Sequence, residues 1–222
     1  MKFLGFYPEA VVARAQGAGI PPRVPKLGHS LFFGAGGFCV VGVAVFAFVA
    51  ATDNWLRRQV GEVSAYAVYA LLFILLAGAL FRRLVIKPAP LFRCYILFAL
   101  AFLLYSAAWT AAWVSLRNKP GEWLASLVAT TALGLTLAKA FDAPKQTFKV
   151  IAVLFVTRSA GYFVGEFLHH AISGLPGWLL WGAVYGLGLG GGLGYTLYAC
   201  QELARERLKT IAPHAPASTM SR

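Results

Sequence analysis

Long, nearly uncharged stretches dominate the pattern of apolar and polar positions along this chain. They lie at 31–52, 64–86, 93–116, 121–140, 149–173 and 177–200. A run of about 18 or more apolar residues is typical of a membrane-spanning helix, because roughly 20 residues of α-helix cross the hydrocarbon core of a bilayer. The pattern therefore predicts an all-α, polytopic integral membrane protein built as a bundle of six transmembrane helices.

The segments outside these runs are short. In residues 1–30, Pro8 and Glu9 suit the first turn of a short helix that we expect on the cytoplasmic membrane surface. Residues 201–222 predict a helical extension of the sixth span into the cytoplasm, followed by a disordered tail. The expected organisation is an N-terminal segment at 1–30, a transmembrane domain at 31–200 and a C-terminal segment at 201–222, with no second folded domain.

Composition agrees with membrane insertion. Hydrophobic residues make up 59% of the chain and charged residues 13%, with a mean hydropathy of +0.68. Soluble domains are close to half apolar and a quarter charged. All six tryptophans fall toward the non-cytoplasmic ends of the predicted spans. Tryptophan prefers the level of the lipid headgroups, so they predict an aromatic belt on that side of the membrane. They are Trp55, Trp109, Trp113, Trp123, Trp178 and Trp181.

The net charge of +12 is more informative about membrane topology than about binding partners. In a soluble protein it would favour nucleic acid. Here Lys and Arg concentrate in the linkers on one side of the predicted bundle, and the positive-inside rule places that side in the cytoplasm. We therefore expect both termini in the cytoplasm, a location in a bacterial inner (plasma) membrane, the lipid bilayer as partner, and no nucleic acid. The opposite side holds Arg57, Arg58, Arg117 and Lys119.

The sixth span carries a row of glycines four residues apart: Gly182, Gly186, Gly190 and Gly194. Spacing of four keeps the row on one helical face, and small residues let transmembrane helices approach closely. We expect this glycine zipper to pack against small residues within the bundle, or against a membrane-protein partner or second copy. The candidates within the bundle are Gly161 and Gly165 of the fifth span and Ser126, Thr130, Gly134 and Ala138 of the fourth. The alternative is a helix break that exposes backbone to a transported ligand.

Polar residues interrupt the fifth span in the sequence RSAGYFVGEFLHH, residues 158–170. On a helix Arg158, Tyr162 and His169 share a stripe, and Glu166 lies on its flank. A charge at the centre of a span costs at least about 2.5–3.5 kcal/mol on insertion scales. Arg158 has no ionisable residue at its own depth, so it needs water, hydroxyls, backbone carbonyls or a ligand anion, unless it reaches back toward the cytoplasm.

Six residues form the candidate ligand-binding set: Arg158, Tyr162, Glu166, His169, Tyr105 and Thr130. Tyr69, Ser106, Thr110 and Thr136 are further hydroxyls that could face the arginine. No catalytic set is predicted. Metal or haem ligation is disfavoured because the adjacent side chains of His169 and His170 diverge by about 100° on a helix. The cofactor, if there is one, is unknown.

The sequence favours a small membrane transporter or channel, or a membrane-embedded substrate-binding subunit, for an anionic or proton-coupled solute. Arg158 would bind an anionic group, and Glu166 would take up a proton or counter-ion. One alternative is a non-catalytic scaffold or accessory subunit of a larger membrane complex. The other is a membrane enzyme that handles lipid, quinone or haem.

Overall fold

A computed structural model describes residues 4–18 and 21–211, and its regular structure is helical, which confirms the all-α class. A single turn of 3₁₀ helix at Pro144–Gln146 leads into the sixth of eight α-helices. In chain order these are α1 (Pro8–Gly17), α2 (Leu27–Val60), α3 (Glu62–Leu84), α4 (Leu91–Leu116), α5 (Lys119–Ala140), α6 (Thr147–Ala171), α7 (Leu175–Cys200) and α8 (Glu202–Ile211).

Within the described ranges, five segments are helical, long and apolar enough to cross a membrane: Leu27–Val60, Ser64–Leu84, Leu91–Leu116, Lys119–Ala140 and Pro144–Ala171. Each of the six predicted spans coincides with one long helix, α2 to α7. The helix α7 is 26 residues long but is not among the five apolar segments. Its many glycines explain this difference, because a residue without a side chain adds length to a helix and almost no hydropathy.

Consecutive long helices pack side by side, and the last one returns to the first. Neighbours in the chain from α2 to α7 contact each other, and α7 also packs extensively against α2. The connections are short, as at Gly61, the single residue between α2 and α3, so successive helices run antiparallel. The six long helices therefore form a closed ring in which α7 joins both α6 and α2.

Glycines on both helices allow the close contact between α2 and α7. A Cβ atom on Gly34 would collide with the carbonyl oxygen of Gly190, and one on Gly42 would collide with that of Gly182. A Cβ atom on Gly190 or Gly182 would likewise collide with the carbonyl oxygen of its partner in α2. The predicted zipper row thus faces α2 inside the chain. Its use against a separate protein stays a prediction, and it would require α2 to move away.

A second glycine row places α6 on another face of α7. A Cβ atom on Gly188 would meet the backbone of Thr157 and Gly161, and one on Gly192 would meet the Thr157 side chain. The pairing of α6 with α7 through Gly161 agrees with the expectation of packing within the bundle. Because glycines line two faces of α7, this helix packs closely against both α2 and α6.

Phenylalanines fill the interior between α2, α3 and α4. Phe38, Phe73 and Phe98 contact one another with ring centroids 6.0–6.1 Å apart, and Phe73 stacks on Phe102 at 4.6 Å. Phe102 in turn stacks on Tyr105 at 6.0 Å. This series of aromatic contacts therefore ends at a tyrosine, where the polar part of the interior begins.

The first long helix extends beyond the predicted span at 31–52. Asp53 accepts hydrogen bonds from Arg57 at 2.8 Å and from the Tyr69 hydroxyl at 3.0 Å, and Arg57 also pairs with Glu62 at 2.9 Å. These polar contacts continue the helix past the apolar run until Gly61, at φ 80°, ends it. Hydropathy alone marks the apolar run and not the end of the helix.

The predicted extension of the sixth span is a separate helix. A turn at Gln201 divides α7 from α8, and the Gln201 side chain is buried. Its amide nitrogen donates to the carbonyls of Leu84 and Leu197, and its amide oxygen accepts from the backbone N–H of Ile86 at 2.7 Å. The side chain therefore ties the end of α7 to the end of α3.

The two terminal helices pack against each other at one end of the bundle. Val11 and Ala15 of α1 share an apolar cluster with Ala204 and Leu208 of α8 and with Ile86. Segments before the first long helix and after the last one therefore meet. The predicted disordered tail lies at 212–222, outside the described residues.

The glycine contact yields a matched pair of substitutions within α2. Gly34→Ala places a methyl group against the Gly190 carbonyl, whereas Gly36→Ala adds one where nothing lies within 4 Å. We expect Gly34→Ala to lower the unfolding free energy by about 1–3 kcal/mol, as overpacking does. Gly36→Ala should leave it unchanged or raise it by up to about 1 kcal/mol, since alanine favours a helix. Denaturant unfolding in detergent micelles measures both, and equal effects would contradict the packing.

Candidate functional site

Arg158 lies inside the bundle on the buried face of α6, and only 3% of the residue is exposed. Its Nε donates a hydrogen bond to the Tyr105 hydroxyl at 2.7 Å, and its Nη1 donates to the Ser126 hydroxyl. Those two partners belong to α4 and α5. The side chain thus turns inward and joins three helices, and it does not reach toward either end of the bundle.

Three tyrosines surround the guanidinium group. The Cζ atom of Arg158 lies 4.6 Å from the ring centroid of Tyr162 and 5.7 Å from those of Tyr105 and Tyr185. The hydroxyls of Tyr105 and Tyr185 are 3.2 Å apart. Cation–π attraction is worth about 2 kcal/mol or more when the pair is desolvated. Ring faces and hydroxyl oxygens therefore offset part of the cost of burying this cation.

No carboxylate in the described part of the chain forms an ion pair with Arg158. A guanidinium group carries five N–H donors in a planar fork. Among the described residues, acceptors are found for Nε and Nη1 but not for Nη2. The guanidinium charge is therefore surrounded by neutral groups, and the Nη2 donors are unused among the described residues.

An ion-paired cluster lies farther along α6. Lys119 donates to Glu166 at 2.7 Å and to Glu122 at 3.1 Å, so the start of α5 is tied to the C-terminal half of α6. Tyr162 is one helical turn from both Arg158 and Glu166. The tyrosine ring thus lies between the buried arginine and this cluster.

Three buried nitrogen atoms near Tyr162 and His169 have no hydrogen-bond partner among the described residues. They are Nε1 of Trp109, Nε1 of Trp181 and Nδ1 of His169. The Tyr162 ring lies 6.4 Å from Trp109 and 6.0 Å from Trp181, and His169 stacks on Trp181 at 5.2 Å. Most buried polar groups in proteins have a hydrogen-bond partner. These three nitrogens are exceptions to that rule among the described residues.

The structure brings two of the predicted residues, Tyr105 and Tyr162, to Arg158. Glu166 instead pairs with Lys119, and His169 lies between Trp178 and Trp181. Thr130 is buried, but its hydroxyl donates to the Ser126 carbonyl of its own helix. Whether these six residues bind a ligand stays a prediction.

The other hydroxyls considered from the sequence lie elsewhere. Tyr69 donates to Asp53, and Thr136 donates to the Ala132 carbonyl within α5. Ser106 and Thr110 line a groove on the outer face of α4. A hydroxyl at the depth of Arg158 therefore does not always reach it. The rotation of the helix about its axis also decides whether the hydroxyl faces the interior.

Three contacts in this region were not predicted: Ser126 and Tyr185 at the arginine, and Lys119 at Glu166. Ser126 lies one turn before Thr130, within the row of small residues on its helix, so its depth could have suggested it. Tyr185 lies about 15 Å from the start of α7, near the middle of a span, which is the same signal. Lys119 is the first residue of α5 and lies outside the predicted span at 121–140, and only the fold shows that it reaches α6.

The chain matches no family model, no curated protein and no solved structure. Among the described residues, no group of three or more His, Cys, Asp or Glu side chains could hold a metal ion.

Removal of a single hydroxyl tests the role of Tyr105. Tyr105→Phe removes the acceptor for Nε of Arg158, and we expect a loss of about 1–3 kcal/mol of unfolding free energy because a buried charged donor loses its partner. The control is Tyr95→Phe on the same helix, whose exposed hydroxyl donates to the Leu75 carbonyl. It should cost at most about 1 kcal/mol. Denaturant unfolding in micelles compares the two variants, and equal losses would contradict a special role for Tyr105.

Proposed function

We propose that this protein is a membrane-embedded transporter or substrate-binding subunit and that Arg158 binds the anionic group of a small solute. One observation carries the proposal. The Arg158 guanidinium is buried among α4, α5, α6 and α7 with hydroxyls and aromatic rings around it and no carboxylate partner in the described chain.

The chemistry of arginine supports an anion as the ligand. Its planar fork matches carboxylate, sulfate and phosphate oxygens in a bidentate arrangement. Ionisable residues inside membrane domains usually face the bundle interior and mark substrate or ion pathways. The tyrosine hydroxyls at 105 and 185 would then donate to the anion once it draws the guanidinium away from them.

The cluster at Lys119 fits an entrance to this site. The Lys119–Glu166 ion pair and the Tyr162 ring lie between Arg158 and one end of the bundle. Protonation of Glu166 would release Lys119 and weaken the link between α5 and α6. This is the step at which proton uptake would couple to entry of the anion, and the unpaired indole N–H groups of Trp109 and Trp181 would contact the solute beside it.

Six spans with both termini in the cytoplasm are part of the proposal. Contact between α1 and α8 supports an even number of crossings, because an odd number would separate the segments that flank the long helices. The length of α7, about 39 Å for 26 residues, is sufficient to cross a bilayer. A glycine-rich helix can also be accommodated in the membrane when its faces are covered by α2 and α6.

A second candidate function, an accessory subunit of a larger membrane complex, is favoured by the outer face of α4. A groove there is lined by Ser106, Ala107, Thr110 and Ala111, flanked by Leu103 and Val114. Small residues four apart on an exposed transmembrane face are typical of contacts with another helix. A stoichiometric partner recovered after mild detergent extraction would favour this function, and a clean monomer would disfavour it.

Topology can be tested with reporter fusions. We expect a fluorescent protein fused after Arg222 to fluoresce in the cytoplasm, and alkaline phosphatase inserted after Gly61 to be active on the other side, as an N-in and C-in arrangement requires. Active phosphatase at the C-terminus would contradict the even number of crossings. A phosphatase insertion at Lys87 is the matched control and should be inactive.

Substitution of Arg158 tests anion binding. In proteoliposomes the wild-type protein should take up at least one of a panel of labelled anions, namely acetate, succinate, sulfate and inorganic phosphate. Arg158→Gln should reduce that uptake by a factor of 100 or so, because a charged hydrogen bond worth about 3 kcal/mol is lost. Arg158→Lys should retain only part of it, since an ammonium lacks the planar fork.

The control for this experiment is Arg83→Gln, which removes an exposed charge at the end of α3. It should leave uptake unchanged. Both glutamine variants must insert into the membrane and purify as folded protein, which unfolding in micelles confirms. Equal uptake by the wild-type and Arg158→Gln proteins would overturn the proposal.

A further inference from the structure

Three arginines meet at the end of the bundle where α3 finishes and α4 begins. Arg14 of α1 donates to the carbonyl of Gly5 and, at 3.4 Å, to that of Pro88. Arg82 donates to the next carbonyl, that of Ala89, at 3.0 Å. Successive carbonyls of the loop between α3 and α4 therefore hold two guanidinium groups close together.

The third arginine, Arg93, lies beside Arg14. A Cβ atom built on Gly5 would be 2.8 Å from Nη1 of Arg93 and 2.9 Å from Nη1 of Arg14, so the two nitrogens are no more than about 6 Å apart. Like charges at this distance repel each other. Burial, and next the charge of Arg93, lower the pKa of Arg14. An anion between the two groups would relieve that repulsion.

The surrounding protein does not neutralise this cluster. None of the three arginines takes part in an ion pair with a described carboxylate. The start of α4 adds to the positive potential, since no side chain caps its first N–H groups. The Arg93 side chain forms no hydrogen bond with a described residue, so its donors are free for a ligand.

Exposed apolar side chains occur in the same helical turn as Arg93. Phe92 is 74% exposed and Leu91 is 44% exposed, both in the first turn of α4, next to Arg93. A soluble phosphate would gain nothing from them. A lipid would place its acyl chains on these side chains while its headgroup lies on the cations, as expected where a spanning helix meets the membrane surface.

We propose that Arg14, Arg82 and Arg93 form a binding site for the phosphate headgroup of an anionic membrane lipid, with Leu91 and Phe92 in contact with its acyl chains. Two guanidinium groups at this separation can each donate to a different oxygen of one phosphate. The site lies at an end of the bundle, away from Arg158. It rests on the proposed insertion into a membrane and not on anion binding at Arg158.

The test uses the full chain purified in an uncharged detergent. Phosphatidylglycerol and phosphatidylcholine are added separately, and lipid retained by the protein is measured by native mass spectrometry together with the unfolding temperature. We expect phosphatidylglycerol to be retained and to raise the unfolding temperature. Phosphatidylcholine should be retained less and should raise the unfolding temperature less. Arg93→Gln should weaken phosphatidylglycerol binding about tenfold, the effect of one lost charged contact.

Arg93→Gln is the main variant because its loss breaks no hydrogen bond of the fold. The control, Arg83→Gln, removes the same charge from the same end of the bundle, where Arg83 lies over the Phe33 ring at 6.0 Å. It should bind phosphatidylglycerol as the wild type does. Equal weakening by both variants would show a general effect of charge and overturn the site.

Inorganic phosphate distinguishes the two sources of the headgroup chemistry. If phosphate alone stabilises the protein as well as phosphatidylglycerol does, and displaces it at equal concentration, the lipid assignment is overturned. Arg158→Gln separates this proposal from the transport proposal. It should leave lipid binding intact, while Arg93→Gln should leave anion uptake intact in proteoliposomes, so failure of one proposal does not imply failure of the other.

Discussion

Burial of one positive charge among apolar helices is the constraint on which this structure depends. A guanidinium group taken out of water must find acceptors, and Arg158 finds them on α4 and α5 and ring faces on α4, α6 and α7. Each of those helices must therefore have one particular rotation about its axis. Apolar packing alone would tolerate several rotations, because one leucine face resembles another. A single polar residue thus selects one arrangement of the bundle, as buried polar groups do in some other helical assemblies.

Glycine makes that arrangement possible. Close approach on two faces draws α7 inward between α2 and α6, and this position brings the Tyr185 ring to the arginine. A bulkier α7 would move outward and leave the cation short of a neighbour. The phenylalanines at 38, 73 and 98 fill the remaining interior. The interior of the bundle therefore has a polar part around Arg158 and an apolar part around these rings. Small residues set the distances between helices, and polar residues set the orientations.

Much of the fold was predictable from the sequence, and less of the site was. Apolar runs gave the six long helices, because hydropathy and helix length are properties of the chain itself. The partner of the α7 glycine row was not predictable, since Gly34 and Gly161 offer similar small surfaces and only the closed ring pairs the first with it. For the site, depth identified Tyr105, whereas Ser126 and Thr130 share one face of α5, and the arginine reaches Ser126, one helical turn away from the predicted Thr130. Hydropathy does not tell which of two hydroxyls one turn apart meets the arginine.

The contact between α2 and α7 joins the first long helix of the chain to the last. Gly42 and Gly182 are about 140 residues apart, so at ribosomal speeds of roughly 5–20 residues per second α2 is made on the order of ten seconds before its partner exists. During that interval its glycine face is uncovered and open to other nascent helices. The order of synthesis therefore makes completion of the ring the last assembly step, and the bundle around Arg158 can close only when the chain is nearly finished.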